Sequence, residues 1–208
     1  MKWIDRILRK NPEPVEPKKD GADDDWWDVR LQALHAVLGP SEEMVFHALQ
    51  PLYLGGFADV VEFRRYIPGN TYVTCDLIGE SGQKTSSLGN YELMICTREK
   101  SDWAANIICK LAKYTLEAVL EPSETMDIGP AAPAGSTVAA FLFAEPEIRT
   151  PRLTVKGIDC GLLLCIGILP DELAVCQKEG SAKVLQLLKQ RQIFPYTDLQ
   201  RKSVLQQD

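Results

Sequence analysis

One continuous stretch, residues 91 to 130, constrains the fold most strongly because it joins three different local patterns. Residues 91–97 (YELMICT) are mostly apolar and have no helical period, which indicates a buried strand. From residue 103 to residue 120, apolar and polar residues alternate with the period of an amphipathic helix. Ser101 or Asp102 is placed to cap the first turn, and Pro122 is placed to end the helix. The stretch therefore predicts a helix packed on the sheet that contains the preceding strand.

The other patterns predict one α+β domain with a mixed β-sheet and helices packed on it. A helix is expected from Asp25 to Leu38, followed by a short helical segment from Ser41 to Leu49. The predicted strands are residues 57–67, 71–78, 91–98, 137–143 and 160–169, and two further helices are predicted at 171–179 and 181–192. The run GLLLCIGIL, residues 161–169, carries no charge, so we expect it in the middle of the sheet with both faces covered.

The first 24 residues differ in character from the rest. Residues 1–10 (MKWIDRILRK) place apolar side chains on one face of a short amphipathic helix and carry four basic residues. This segment has three interpretations: it packs on the domain or frays, it lies on a membrane surface, or it is a docking peptide. Residues 11–24 are rich in proline and charge, which predicts a linker, and residues 25–208 form the domain. We expect the domain to remain folded when residues 1–24 are removed.

Composition narrows the classes of partner. The formal net charge is −6 and no basic groove pattern is present, so nucleic acid is not expected as a partner. The longest apolar run is far shorter than the roughly 18 residues that span a bilayer, so a membrane contact is expected only through residues 1–10. The six cysteines contain no CxxC pair, which favours reduced, buried thiols in a cytoplasmic protein.

The sequence contains no recognisable catalytic, metal or cofactor motif. Residues 79–86 (GESGQKTS) resemble a phosphate-binding loop, but Gln83 stands where the P-loop needs lysine. His35 and His47 have no second ligand at zinc spacing. We therefore predict no cofactor, no metal site and no catalytic residues. The alternative is an enzyme whose active site is assembled from scattered residues, which spacing alone does not reveal.

Several separated blocks resemble one known family. YELMICTRE, WAANIICKLAKYTLEA and the MDIGP turn are similar to the suppressor-of-fused-like domain. Further similar blocks are PLYLGGF, YIPGNTYVTCDLIG, GLLLCIGILPDEL and YTDLQRKSVL, in the same order along the chain. The resemblance covers most of the chain from about His35 onwards. It implies a binding fold, since none of these blocks is a catalytic motif.

The resemblance implies a protein partner. Animal members of this family restrain transcription factors by clamping an extended peptide between two domains. The similarity here covers one domain, so we do not carry that role over. Single-domain relatives of this size resemble bacterial immunity proteins that neutralise polymorphic toxins. An acidic protein suits such a role, because negative potential steers it toward basic toxin domains, although solubility alone would favour the same charge.

A binding face is predicted on the strand TYVTCDLI. Its alternation places Val73, Cys75 and Leu77 on one face and Tyr72, Thr74 and Asp76 on the other. We expect the second face to be outward and to bind a protein through Tyr72, Asp76 and the following Glu80. The block is also similar to a family segment in which a tyrosine and a nearby acid hold the bound peptide. The alternative is that Tyr72 packs inside the fold.

Overall fold

The computed structural model describes residues 24–148 and 152–206, and within these ranges the strands form one mixed sheet. The helices are α1 Asp24–Leu38, α2 Asp102–Tyr114, α3 Pro170–Glu179 and α4 Ala182–Gln190. The strands are β1 Ser41–Phe46, β2 Val60–Phe63, β3 Asn70–Thr74, β4 Asn90–Thr97, β5 Thr125–Asp127, β6 Ala140–Ala144, β7 Leu153–Val155 and β8 Ile158–Ile168. The order across the sheet is β1-β2-β3-β4-β8-β6-β5, with β7 also paired to β8.

The centre of the sheet is a parallel pair, β4 with β8, whereas the other neighbouring strands are antiparallel. Side chains of β8 alternate between two hydrophobic clusters: Leu162 and Leu164 belong to one, and Leu163 and Cys165 to the other. The first cluster contains residues of α1, α3 and α4, and the second contains residues of α2. The sheet is therefore covered by helices on both faces.

The α+β fold with a mixed sheet is confirmed. Residues 161–169 are all buried and lie in the middle of the sheet, as the absence of charge predicted. The helix from about residue 25 to Leu38 is also present, with Leu34 and Leu38 buried on its inner side. Ser101 caps α2, because its side chain accepts a hydrogen bond from the Ala104 amide.

Two local predictions were wrong. Residues 41–49 do not form a helical segment, because Ser41–Phe46 pairs with β2 as a strand. The helix after β4 ends at Tyr114 and does not reach residue 120. The Thr115 side chain donates to the Ala112 carbonyl, and the Thr115 carbonyl accepts from the Lys84 amide. These bonds end the helix well before Pro122.

The predicted N-terminal segment, residues 1–10, lies outside the described residues, as does the predicted linker up to residue 23. The boundary between this linker and the domain remains a prediction. No helix in residues 24–148 or 152–206 is both long and apolar enough to cross a membrane.

Candidate functional site

The three residues predicted to bind a partner lie in different environments. Tyr72 is fully buried, the Asp76 side chain is 25% exposed and Glu80 is partly exposed. The expectation that Tyr72 and Thr74 face outward was wrong, because β3 is an inner strand with both faces covered. The binding role of Tyr72, Asp76 and Glu80 remains a prediction.

Tyr72 connects β3 to the start of α2. Its hydroxyl accepts a hydrogen bond of 2.9 Å from the Ser101 amide, just before the helix begins. Its ring meets Phe46 edge to face, with the ring centroids 5.8 Å apart. Burial raises the pKa of Tyr72, so the hydroxyl stays protonated. In this structure the side chain fixes the fold and offers no exposed ring to a partner.

Asp76 belongs to a chain of polar groups where β1 ends, β2 begins and β3 ends. Its Oδ2 accepts from the Asp59 amide at 2.7 Å. The Asp59 carboxylate in turn accepts from the Ala48 amide at 2.8 Å and lies 2.7 Å from the His47 ring nitrogen Nδ1. We call His47, Asp59, Asp76 and Glu80 the acidic end.

Glu80 extends the acidic end into the next turn. Its amide donates to the Leu77 carbonyl at 3.0 Å, which closes a turn, and its carboxylate accepts from the Gly82 amide at 3.2 Å. The carboxylate remains partly open to solvent. Asp59 and Asp76 are therefore joined by a hydrogen bond, and Glu80 adds a third carboxylate in the turn that follows Asp76.

Glu92 stabilises the loop after β3, which carries Asp76. This β4 residue is fully buried, and its carboxylate accepts from the Leu77 and Ile78 amides at 2.9 and 2.8 Å and from the Thr74 hydroxyl at 2.6 Å. Burial raises the pKa of Glu92 to about 7, against the opposing effects of nearby Arg30 and of these hydrogen bonds. The loop that carries Asp76 is thus fixed by a buried carboxyl group.

Arg30 of α1 binds the same loop through its carbonyl groups. Its Nε donates to the Ile78 carbonyl at 2.6 Å and its guanidinium to the Cys75 carbonyl at 3.3 Å, with Asp76 at 3.7 Å. Its guanidinium also lies 5.4 Å from the centre of the Trp26 ring. Because Arg30 bonds backbone carbonyls, it anchors the loop conformation to α1.

Gly79 is required where this loop passes Trp26. Its φ is +85°, and a Cβ atom at this position would lie 2.6 Å from the Trp26 ring. A side chain here would be strained by the backbone conformation and would also displace the tryptophan. The close approach of Gly79 and Trp26 keeps α1 against the loop.

The cysteines show no activated thiol. All six are free, and burial raises the pKa of each of them: to about 12 for Cys96 and about 11 for Cys109 and Cys160. Neutral thiols are weak nucleophiles and poor metal ligands. In the part of the chain that the structure describes, no three His, Cys, Asp or Glu side chains are grouped to hold a metal ion.

The acidic end adjoins the outermost strand, β1. On its far side from β2, which we call the free edge, β1 pairs with no other strand among the described residues. Met44 on β1 is 52% exposed, and Leu49 shortly after it is fully exposed. Glu42 and Glu43 add two carboxylates to the same strand. The free edge therefore combines unpaired backbone, apolar side chains and negative charge.

Several of these residues escaped prediction from the sequence. His47 and Asp59 are twelve positions apart, and only the pairing of β1 with β2 brings them together. Glu92 carried a usable signal, since it is a charged residue next to the apolar run LMIC of a buried strand. A buried carboxylate needs donors, which here come from Thr74 and the loop after β3.

The comparisons with solved structures agree on the fold. The Sufu–Fu complex matches with a TM-score of 0.68 and 15% identity, over 86% of this chain and 92% of that chain. A protein described as a SUFU homolog from Neisseria gonorrhoeae matches with a TM-score of 0.65 and 17% identity, over 89% and 100%. Drosophila Suppressor of Fused gives 0.65 and 15%, over 86% of this chain and 50% of its own.

The comparisons of sequence are more selective. No curated protein is significantly similar to this chain. The family model for Suppressor of fused protein (SUFU) matches residues 58–202, which run from just before β2 into the segment after α4. The matched range contains β4, α2 and β8, where the resemblance of the sequence was found. The chain belongs to the suppressor of fused family.

Proposed function

We propose that this protein is a non-catalytic module that captures another protein through the free edge and the acidic end. One observation carries the proposal. The outer strand β1, whose free edge pairs with no strand in the described ranges, carries exposed Met44 and leads directly to exposed Leu49 and to the carboxylates of the acidic end. Isolated exposed apolar residues are common, but here they accompany an open strand edge.

The free edge offers main-chain binding to an extended segment. An outer strand presents unpaired N–H and C=O groups, which a partner strand can bond. The exposed side chains of Met44 and Leu49 then supply apolar contacts beside that strand. Backbone bonding would give affinity, and the side chains would give selectivity.

Charge selects a basic partner. Glu42 and Glu43 lie on β1, and the acidic end adds Asp59, Asp76 and Glu80. The net charge of −6 has the same sign. Complementary charge raises the rate of encounter and weakens with salt. The partner is therefore a protein that presents a basic, extended segment.

A relative supports the general role, since the Sufu–Fu complex contains a family member bound to another protein. We extend the proposal to a bacterial, cytoplasmic immunity protein whose partner is a basic toxin domain. The absence of activated thiols suits a role that depends on binding alone. No specific observation favours the alternative of a scattered active site.

The predicted binding residues take different parts in this proposal. Asp76 and Glu80 contribute surface carboxylates, and we propose that they contact the partner. Tyr72 contributes indirectly, because its hydroxyl and ring position Ser101 and Phe46. A direct contact by Tyr72 would require the chain around it to open.

The test is coexpression with the protein encoded by the neighbouring gene, followed by co-purification and a growth-protection assay. Two surface variants are compared with wild type: Asp76→Lys combined with Glu80→Lys, and Met44→Lys on the free edge. We expect each to weaken binding at least about tenfold, since a positive charge then meets the basic partner and, at residue 44, also replaces an apolar contact.

A charge-reversal control is Glu179→Lys on α3, which contacts β5 at the opposite edge of the sheet. It should bind normally and should melt at a temperature close to wild type. Binding that survives both surface variants, or that Glu179→Lys weakens equally, would contradict the proposed surface. Growth protection without any complex would contradict capture itself.

A further inference from the structure

We infer that the segment of residues 3–10 of this same chain docks on the free edge and covers it until a partner displaces it. This inference rests on the proposed function, because it concerns regulation of the same surface. It rests on three points: the place where the described chain begins, the length of residues 11–23, and the complementary chemistry of residues 3–10 and the free edge.

The described chain begins close to the free edge. Trp27, in the first turn of α1, lies 6.5 Å from His47, measured between ring centroids. His47 directly follows the last residue of β1. The described chain therefore begins, at the start of α1, near the end of the outer strand.

The linker is long enough to return along this strand. Residues 11–23 number thirteen, and a fully extended chain spans at most about 45 Å over that length. The six residues of β1 extend only about 20 Å. Residues 3–10 can therefore reach any position on the free edge without strain in the linker.

The two surfaces are complementary in chemistry. The segment brings Trp3, Ile4, Ile7 and Leu8 together with the basic residues Arg6, Arg9 and Lys10, and Lys2 directly precedes it. The free edge presents Met44 and the nearby Leu49, two of the four large hydrophobic residues exposed in the described ranges. Glu43 and Glu42, the latter 3.7 Å from the Arg64 guanidinium, supply carboxylates of the opposite charge. Apolar contact and ion pairing therefore act at the same place.

The opposite edge lacks this combination. Its outer strand β5 has three residues and is flanked by α3, and the Ser181 hydroxyl bonds the Ser123 carbonyl just before it. None of the exposed large hydrophobic residues in the described ranges lies on β5. The free edge of β1 is therefore the better docking place.

Docking in this way has a regulatory consequence. The segment competes with a basic partner for the same carboxylates and apolar side chains, so it lowers the apparent affinity by the fraction of time that it is bound. It also shields an open strand edge from pairing with other chains. A partner that binds tightly enough displaces the segment and reveals the full surface.

Hydrogen exchange of the full chain tests the inference. Wild type is compared with Trp3→Asp combined with Ile7→Asp, which removes the apolar contact and keeps the chain length. We expect the β1 amides on the free edge to exchange about tenfold faster in the variant, whereas amides of β4 and β8 stay unchanged. Equal exchange of β1 in both proteins would overturn the inference.

A charge-reversal cycle on the full chain adds a second readout. Zero-length carbodiimide coupling should join Lys2 or Lys10 to Glu42 or Glu43, and mass spectrometry should identify the joined peptides. Glu42→Lys combined with Glu43→Lys should make the β1 amides exchange faster than in wild type. Adding Arg6→Glu with Arg9→Glu should slow this exchange again. Failure of the second pair to restore protection would count against docking at these carboxylates.

Two other occupants are outcomes of the same experiments. Protection of β1 that grows with protein concentration would show a second copy at the edge and would overturn intramolecular docking. Co-sedimentation of wild type with anionic vesicles, lost in the Trp3 and Ile7 variant while β1 exchange stays equal, would assign the segment to membranes.

Partner capture is measured separately. Protection of the β1 amides without partner capture would refute the proposed function alone, and partner capture without protection of these amides would refute this inference alone.

Discussion

Two buried glutamates hold irregular segments in this fold, and they do so with different partners. Glu92 on β4 and Glu172 on α3 are both fully buried. Each accepts hydrogen bonds from two backbone amides of segments outside regular helices and strands. The difference between them is the position of the nearest arginine.

Glu172 has a direct ionic partner. Arg201 donates to both of its carboxylate oxygens and also to the Gly167 carbonyl. The Leu169 and Val204 amides complete the site, so the segment after α4 is tied to the start of α3. A buried carboxylate with a two-point guanidinium contact is fully satisfied.

Glu92 has an arginine nearby that bonds elsewhere. Arg30 donates to the Cys75 and Ile78 carbonyls, while Glu92 takes its bonds from Thr74 and the loop amides. Burial consequently dominates and raises its pKa to about 7. Glu172 is therefore held by a guanidinium, whereas Glu92 gains and loses a proton near neutral pH.

The largest expected effect comes from breaking the ion pair. Arg201→Met leaves Glu172 buried without its cation, which should lower the free energy of unfolding by about 3–5 kcal/mol in urea denaturation. Arg30→Met should cost less, because the structure shows no hydrogen bond from Arg30 to Glu92. Arg191→Met, at an exposed arginine, is the matched control. Equal losses for Arg30 and Arg201 would remove the distinction between the two anchors.

The second prediction concerns the proton on Glu92. Its pKa rises from 4.5 to about 7 on folding, so the folded chain holds a proton that the unfolded chain has released. The stability from this proton is complete below about pH 4.5 and is lost as the pH rises through 7. Between pH 4.5 and 8, wild type should lose up to about 3 kcal/mol relative to Glu92→Gln. Urea denaturation at several pH values measures it, and parallel profiles for both proteins would refute it.

The third prediction tests how tightly the Glu92 loop is held. Gly79→Ala introduces backbone strain and a clash with Trp26, and should cost about 2 kcal/mol in the same assay. Gly135→Ala is the control, because its φ is +78° but no heavy atom lies within 4 Å of the added Cβ. If both variants lose the same stability, the contact between the loop and Trp26 contributes nothing.

The smallest expected effect is at Tyr72. Tyr72→Phe keeps the ring against Phe46 but leaves the Ser101 amide without its acceptor, which should cost about 1 kcal/mol. Partner binding should stay unchanged, as measured by co-purification. A variant that melts like wild type and loses its partner would identify Tyr72 as a direct binding residue.

Local patterns predicted the centre of this fold better than its edges. The uncharged run Gly161–Leu169 needs burial on both faces in any fold, so its place in the sheet followed from composition. The segment Ser41–Phe46 has the serine and glutamates of a helix start, and only pairing with β2 makes it a strand. The three-residue strand β7 was missed for a related reason, since it exists through its partner β8.

The binding role of the predicted residues remains a prediction, and their positions in the fold differ. Asp76 and Glu80 lie on the acidic end, but Tyr72 is buried because α2 covers that face of β3. Alternation along a strand reports two faces and does not report which of them another element covers. His47 and Asp59 meet through strand pairing, and Arg30 arrives from α1, so no local pattern joins them.

The parallel pairing of β4 with β8 has a consequence for how the chain folds. Asn90 pairs with Cys160, so closing this contact joins residues that are 160 − 90 = 70 positions apart. Closing so long a loop costs chain entropy before the strands gain any stabilisation, which slows folding. Until that happens the apolar β8 strand lacks its central neighbour and can associate with other chains. Newly synthesised chains are therefore most prone to aggregate before β8 pairs with β4.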